Sequence, residues 1–515
     1  MRRIGIDVGG TNTDAVLLDG SHVLGAIKTA TTEDVTAGIE AALADLLTAT
    51  GAAPGDIEAV MIGTTHFTNA VVQRRGLSRI AAVRVCLPAA ATLPPFCDWP
   101  EDLAAVVDGG HYLLAGGHEY DGRPIAPFDE AASRAAARDI AQSGVTAAAI
   151  SAVFSPINEE FEAKAGAILA KEAPSLPLSE SRKLGRLGLL ERENITLLNA
   201  ALLGLARRTV AAFEAALANS GITAPLYLTQ NDGTIVGASE AALQPVFSFA
   251  SGPTNSMRGA AMLSGLENAI VVDVGGTTTD IGCLRNGFPR EANNVIEIGG
   301  VRTNFRMPDV RSIGIGGGSL IQADPLAVGP VSTGYEISSR ALVFGGSEIT
   351  ATDCAVAMGQ VDIGDTNKTA SMPAGLAKAA SALISETISE TVDRTKPDAA
   401  PLPLVAVGGG AFLVPDSIDG ISQVVRVEHA GVANAIGAAL AQVSGEVDRV
   451  QHGLTREAAM EVARNEAVGR ATAAGADPKT IRVVDMEDIP LSYLPGNALR
   501  TRVRVVGELR KPADH

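Results

Sequence analysis

The stretch IGIDVGGTNTDAVLLDG, residues 4–20, is an apolar strand that carries one carboxylate, turns on two glycines, presents small polar side chains and becomes a strand again. Glycines let a backbone approach an anion closely and aim N–H groups at it. Threonine hydroxyls add donors, and a carboxylate at the strand end can hold a magnesium-bound water. Further on, IVVDVGGTTTDIGCLRNG, residues 270–287, repeats Asp, Gly-Gly, Thr-x-Thr and Asp in the same order. One DVGGT is as readily a plain tight turn, but two copies point to two halves of one phosphate site. The expected contacts are Gly9, Gly10, Thr11, Asn12 and Thr13 in the first hairpin and Gly275, Gly276, Thr277, Thr278 and Thr279 in the second. Asp7 and Asp273 are the expected catalytic carboxylates on the magnesium side.

Other phosphate loops fit less well. A Walker loop needs Gly-Lys followed by Ser or Thr, and the chain has no Gly-Lys pair; a Rossmann loop opens a helix, whereas these glycines lead into another strand. LVAVGGGAFLVPD, residues 404–416, is a strand ending in Gly408, Gly409 and Gly410, suited to backbone approach to adenine and ribose. In SIGIGGGSL, Gly316, Gly317 and Gly318 are expected along the phosphate side, with Ser319 as a donor. This order of hairpin, hairpin and triple glycine resembles the ATP-binding layout of the actin, sugar-kinase and heat-shock ATPase superfamily. The resemblance implies an α/β fold of two duplicated actin-like (ribonuclease H-like) domains with a nucleotide cleft between them, holding ATP and Mg2+.

Short apolar runs alternate with helical patterns along the chain. The first domain is expected over 1–175, with a Pro- and Gly-rich loop and hairpin inserted near 86–129. A second domain is expected over 176–450 and a small α+β appendix over 451–515. With 46% apolar residues the chain can bury large cores, and a formal charge of −17 argues against a nucleic-acid surface. The four cysteines form no CxxC pair, which leaves zinc and dithiol chemistry unsupported. Asp7 and two glycines interrupt the N-terminal apolar run, and no later run reads as membrane-spanning, so the expected location is the cytoplasm, without membrane contact.

GTTHFTNAVVQRRG (63–76), ERENITLLNAALL (191–203), LYLTQNDGT (226–234), SFASGPTNSMRGA (248–260) and SIGIGGGSLIQADPLAVGPVSTGY (312–335) occur in that order. Together they resemble the hydantoinase A and 5-oxoprolinase family, including N-methylhydantoinase, from residue 1 to about 445. The resemblance implies ATP-dependent activation of the amide of a small cyclic imide or lactam, with a second hydrolase subunit of the hydantoinase B type, and it leaves room for a homo-oligomer. Thr64, Thr65, Asn69 and Asn231 are then expected on the substrate side and Asp232 as a catalytic residue, although turn capping explains Asp232 equally well. His66 and Trp99 read as structural, while His111 and His118 in the inserted loop could contact substrate or be ordinary loop histidines outside any metal motif. SGPTNS replaces a usual SGPAGG, so Thr254, Asn255 and Ser256 are expected to alter the pocket. Two other functions fit the same hairpins: a small-molecule kinase with Asp232 or Asp14 as general base, and an ATP-driven switch acting on proteins.

Overall fold

Strand alternation sets the first sheet. In Arg2–Val8, Ile4, Ile6 and Val8 share one face and pack into the main core with the helices Val35–Thr50 and Leu189–Asn219. Gly5 and Asp7 lie on the other face. A Cβ at Gly5 would stand 2.0 Å from the carbonyl oxygen of Ala435, so only glycine lets the helix Ala433–Ala439 lie against this strand. The computed structural model describes residues 1–9, 12–30, 35–292, 296–304, 306–451, 453–491 and 498–510.

Two sheets repeat one topology. In the first, His22–Ala30, Asn12–Asp19, Arg2–Val8, Ala59–Thr64 and Leu226–Thr229 lie in that order, the first two pairings antiparallel and the next two parallel. In the second, Phe288–Pro289, Thr279–Arg285, Ala269–Val274, Leu402–Val407 and Ile421–Arg426 repeat the order and the directions. The fold is therefore α/β with a duplicated actin-like core. Its two halves are joined by the helices Ser251–Ser264 and Ala433–Ala439, which cross at glycines: a Cβ at Gly259 would lie 1.9 Å from the Ala433 oxygen, and one at Gly437 would lie 1.8 Å from the Asn255 oxygen.

Sheet membership does not follow the expected boundaries at 175 and 450. Leu226–Thr229 belongs to the first sheet, and Thr234–Gly237, Gln442–Gln451, Leu499–Gly507 and Arg482–Pro490 extend it to nine strands. The C-terminal segment is thus an edge extension of the N-terminal sheet, with the helix Arg456–Ala473 laid over it through Ala459, Ala463, Ala467 and Ala471. The segment near 86–129 holds a short hairpin at 117–125, where Glu119 N–H donates to the Arg123 carbonyl at 2.7 Å and Ile125 N–H to the Gly117 carbonyl at 2.9 Å, but the rest of it is not a hairpin. Asp108–Ala115 pairs parallel to Ile80–Leu87, reached through the helix Glu101–Val107, within a four-stranded parallel sheet that also takes Ala147–Ala152 and Leu178–Glu180. A parallel return needs a crossover, and the short helix supplies it.

Leu189–Asn219 corrects another expectation. At 31 residues it is long and apolar enough to cross a bilayer, yet here it is the central core helix, with Ile195, Leu197, Leu198 and Leu202 fully buried. Its Glu193 pairs with buried Arg84 and accepts from Ser151 Oγ at 2.8 Å, which ties the four-stranded sheet to the core.

Candidate functional site

The repeated hairpins carry the same turn. Gly9 N–H donates to the Asn12 carbonyl at 3.0 Å, and Gly275 N–H donates to the Thr278 carbonyl at 2.9 Å. Antiparallel register then sets Asp7 opposite Asp14 and Asp273 opposite Asp280, each pair on one face of its hairpin. A glycine on the neighbouring parallel strand clears space for each leading carboxylate. A Cβ at Gly63 would lie 2.8 Å from Asp7 Oδ1, and one at Gly408, which has φ +88, would lie 2.3 Å from Asp273 Oδ1.

The halves meet at a cleft of about 200 Å³. Asp7, Asp14, Asp273 and Asp280 line it together with Gly9, Asn12, Gly275 and Thr278 from the turns, and Gly408 and Gly409 from the third glycine motif. Burial, then the charges of Asp14 and Asp273, push the Asp7 carboxyl up to about 7, while donation from Asn434 Nδ2 at 2.8 Å pulls the other way. Burial likewise raises Asp14 against the opposing Lys28 ammonium 2.6 Å away, and it raises Asp273 against a hydrogen bond from Ser256. Asp280 rises to about 6, chiefly by burial, and accepts from Ser312 Oγ.

Asp7 Oδ1 is buried with no hydrogen-bond partner. A buried carboxylate oxygen left open among three further carboxylates fits a divalent cation, which Asp7 and Asp273 could hold. Among the described residues, no three His, Cys, Asp or Glu side chains converge to hold an ion alone. A hydrated magnesium ion needs only one or two carboxylates, with waters and phosphate oxygens completing its shell.

The other expected site residues take different places in the structure. Gly276, Thr277 and Thr279 belong to the second turn, where Thr279 Oγ1 donates to the Ile315 carbonyl at 2.6 Å. Thr13 pairs with Val8 at the base of the first turn, and Gly10 and Thr11 lie outside the described residues. Gly316, Gly317 and Gly318 back the second turn. Gly317 N–H and Gly318 N–H donate to the carbonyls of Gly275 and Gly276 at 3.0 and 2.7 Å, and Ser319 Oγ accepts from Gly316 N–H, so this loop shapes the turn. Gly410 N–H donates to the Val274 carbonyl at 2.8 Å, anchoring the third glycine motif to the second hairpin.

On the substrate side, only Thr65 lines the cleft. Thr64 is buried and bonds His66 Nδ1 at 2.5 Å, and Asn69 Nδ2 donates to Thr65 Oγ1 at 3.2 Å. Asn231 and Asp232 are not brought to the four carboxylates; they line a separate cavity of about 470 Å³. Asn231 accepts from Ala250 N–H and donates to the Val246 carbonyl, while Asp232 accepts from Thr234 and pairs with Arg504 at 3.3 Å. In SGPTNS, Thr254 and Asn255 are buried on Asn231 and Thr229, and Ser256 reaches the cleft. Lys28, Asn434 and Asp280 were not singled out from sequence. The repeated motif contains Asp280, whereas Lys28 and Asn434 reach the cleft only through strand pairing and helix packing.

The family models for the hydantoinase/oxoprolinase N-terminal region and for hydantoinase/oxoprolinase match residues 3–173 and 192–372. The chain belongs to the hydantoinase/oxoprolinase family. Among its relatives in that family, caprolactamase subunit alpha of Pseudomonas jessenii is 28% identical over 388 residues, 69% of this chain and 54% of the relative. Acetone carboxylase beta subunit of Xanthobacter autotrophicus is 24% identical over 401 residues, 70% of this chain and 54% of the relative. This hydantoinase/oxoprolinase chain therefore matches about half the length of those relatives. Among solved structures, ATP-dependent caprolactamase from Pseudomonas jessenii superposes with a TM-score of 0.79 at 21% identity, covering 99% of this chain and 88% of that one. Nucleotide-free acetone carboxylase gives 0.71 at 18% identity, covering 99% and 89%.

Gly409 offers a direct test of the cleft. A Cβ there meets nothing within 4 Å, so valine fits without strain while narrowing the cleft. Gly409→Val is expected to weaken ATP binding by more than it lowers saturated turnover. Calorimetric titration of ATP into the folded variant measures this, and unchanged affinity would move the nucleoside pocket elsewhere.

Proposed function

We propose that this protein is an ATP-dependent hydrolase, or its ATPase subunit, which phosphorylates the amide oxygen of a cyclic imide or lactam and so drives ring opening. The observation that carries the reading is the convergence of two equivalent hairpins and their four carboxylates on one cleft, in a chain of the hydantoinase/oxoprolinase family. The similar caprolactamase and acetone carboxylase are ATP-dependent, which supports ATP use by such a site.

The chain's own groups have definable tasks. Gly9, Gly275 and Gly409 let backbone approach the nucleotide, and Asn12 and Thr278 offer side chains at the turns. Asn434 and Ser256 orient Asp7 and Asp273, while Lys28 holds Asp14 in place. Asp7 and Asp273 would hold a magnesium ion, whose positive charge would offset that of the phosphate oxygens. Thr65, just before the helix His66–Gln73, lines the cleft and is the residue assigned to the acceptor side.

In the reaction, the amide oxygen attacks the γ-phosphorus, the bond between that phosphorus and the bridging oxygen breaks, and ADP leaves. One water adds at the activated carbon and the ring amine departs with a proton, leaving an acyl phosphate. A second water attacks the same carbon and releases phosphate. A hydantoinase B-type subunit is the proposed partner for the hydrolytic steps, and the cytoplasm is the proposed location.

Carbonyl oxygen-18 in the substrate is accordingly expected to appear in the released phosphate. The assay combines the chain with ATP, magnesium, a panel of hydantoins and lactams, and the protein encoded beside it. Ring opening with no label in phosphate would remove the mechanism, and a stable phosphorylated product would establish a kinase instead.

A further inference from the structure

We propose that the cavity of about 590 Å³ beside the cleft is the acceptor pocket, and that it takes an uncharged lactam ring in preference to a carboxylated one. This rests on the amide-activation reading above and names its substrate class. The volume falls within the range of small-molecule sites.

The position carries the first part of the inference. Pro253 lines both the cavity and the carboxylate cleft, so a single proline separates them. Ser312 lines the cavity and donates to Asp280, which lines the cleft. On the other side, Thr68 lines the cavity and Thr65 the cleft, about one turn apart at the start of one helix. A ring bound in the cavity would thus lie against the wall that carries the phosphate-side carboxylates.

Lining chemistry carries the second part. Phe249, Ile296, Ile298, Met307 and Val310 make an apolar wall suited to ring methylenes. Among the described residues, three charged groups face it: Arg290, Asp309 and Glu297. The Arg290 guanidinium donates through Nη2 to Asp309 at 2.5 Å and to the Thr395 carbonyl at 3.3 Å, while its Nε is buried without a partner among the described residues. Two carboxylates outnumber the one cation, so like charge disfavours a further carboxylate and selectivity comes from charge as well as from apolar contact.

Pyrrolidinone and pyroglutamate differ only by a carboxylate and separate these terms. With a non-hydrolysable ATP analogue and magnesium present, ligand-observed NMR on the full chain is expected to show pyrrolidinone binding at least about tenfold more tightly than pyroglutamate, a difference of ~1.4 kcal/mol. Ala292→Phe fills the cavity and is expected to abolish pyrrolidinone binding without changing ATP affinity. Exposed Glu297 tolerates substitution, and Glu297→Gln is expected to narrow the gap between the two ligands. Equal or tighter binding of pyroglutamate, or pyrrolidinone binding unaffected by Ala292→Phe, would overturn the proposal. Should Ala292→Phe fail to fold, an unchanged gap in Glu297→Gln would overturn it alone. Binding as expected with no lactam-driven phosphate release would leave the pocket standing and remove the reaction, whereas lactam-driven release untouched by Ala292→Phe would remove the pocket and keep the reaction.

Discussion

Asp7→Asn and Asp273→Asn are each expected to lower ATP turnover at least about tenfold while leaving the fold intact, since a cation-orienting charge in a closed site is worth more than ~1.4 kcal/mol in the transition state. Each substitution keeps size and shape and removes only charge. Asp7 sits at the sheet end of the first hairpin with Oδ2 bonded to Asn434 and Oδ1 open, and Asp273 is its counterpart in the second. Loss in both variants would show that the two hairpins act as one site; near-normal turnover in both, with magnesium dependence retained, would dissolve it.

The same residue links function to stability. Burial disfavours the charged form of Asp7 and pushes its carboxyl from the ordinary 3.8 up to about 7 in the folded chain. Between those values the folded state holds the extra proton, so without divalent cation Asp7 makes the fold less stable as pH rises from about 4 to about 7. The penalty is complete above that window. Asp7→Asn is therefore expected to raise the melting temperature of the cation-free protein at pH 8 even as turnover falls. Thermal unfolding with and without magnesium reads this: the gain should be present without the ion, and magnesium should stabilise the native protein more than the variant.

Gly437→Ala is expected to destabilise the fold by about 3 kcal/mol or more, the upper end for overpacking. Helix propensity alone argues the opposite, favouring alanine over glycine by about 1 kcal/mol. Packing wins because the added Cβ would lie 1.8 Å from the Asn255 oxygen and 2.6 Å from its carbonyl carbon, and neither is a side chain that can turn away. The helices Ser251–Ser264 and Ala433–Ala439 would have to separate, and they join the two halves around the cleft. Gly469→Ala is the control, in the exposed part of the helix Arg456–Ala473 where an added Cβ meets nothing within 4 Å. Denaturant midpoints should move in opposite directions for the two alanines. A neutral or stabilising Gly437→Ala would mean that the crossing is looser than this geometry.

Local sequence by itself determined the hairpins and their equivalence. Asp, Gly-Gly, Thr-x-Thr and Asp at one spacing leave a strand little choice but to turn on the glycines, and the pleat then puts the two carboxylates of each hairpin on one face. Family membership was legible for a similar reason, because ordered landmarks survive in a single chain. Only the tertiary structure decided which residues meet. Lys28 reaches Asp14 through the third strand, and Asn434 reaches Asp7 from a helix 427 positions away, a contact with no local periodicity to betray it. Asp232 looked like a site residue because it follows a strand at the turn. Arg504, from the last strand of the same sheet, engages it beside a different cavity. The sheet boundaries were hidden likewise: a strand's pattern says that it is buried, but hydrogen bonding between strands far apart in sequence chooses its sheet, and so the strands Leu226–Thr229, Thr234–Gly237, Gln442–Gln451, Arg482–Pro490 and Leu499–Gly507 joined the N-terminal half.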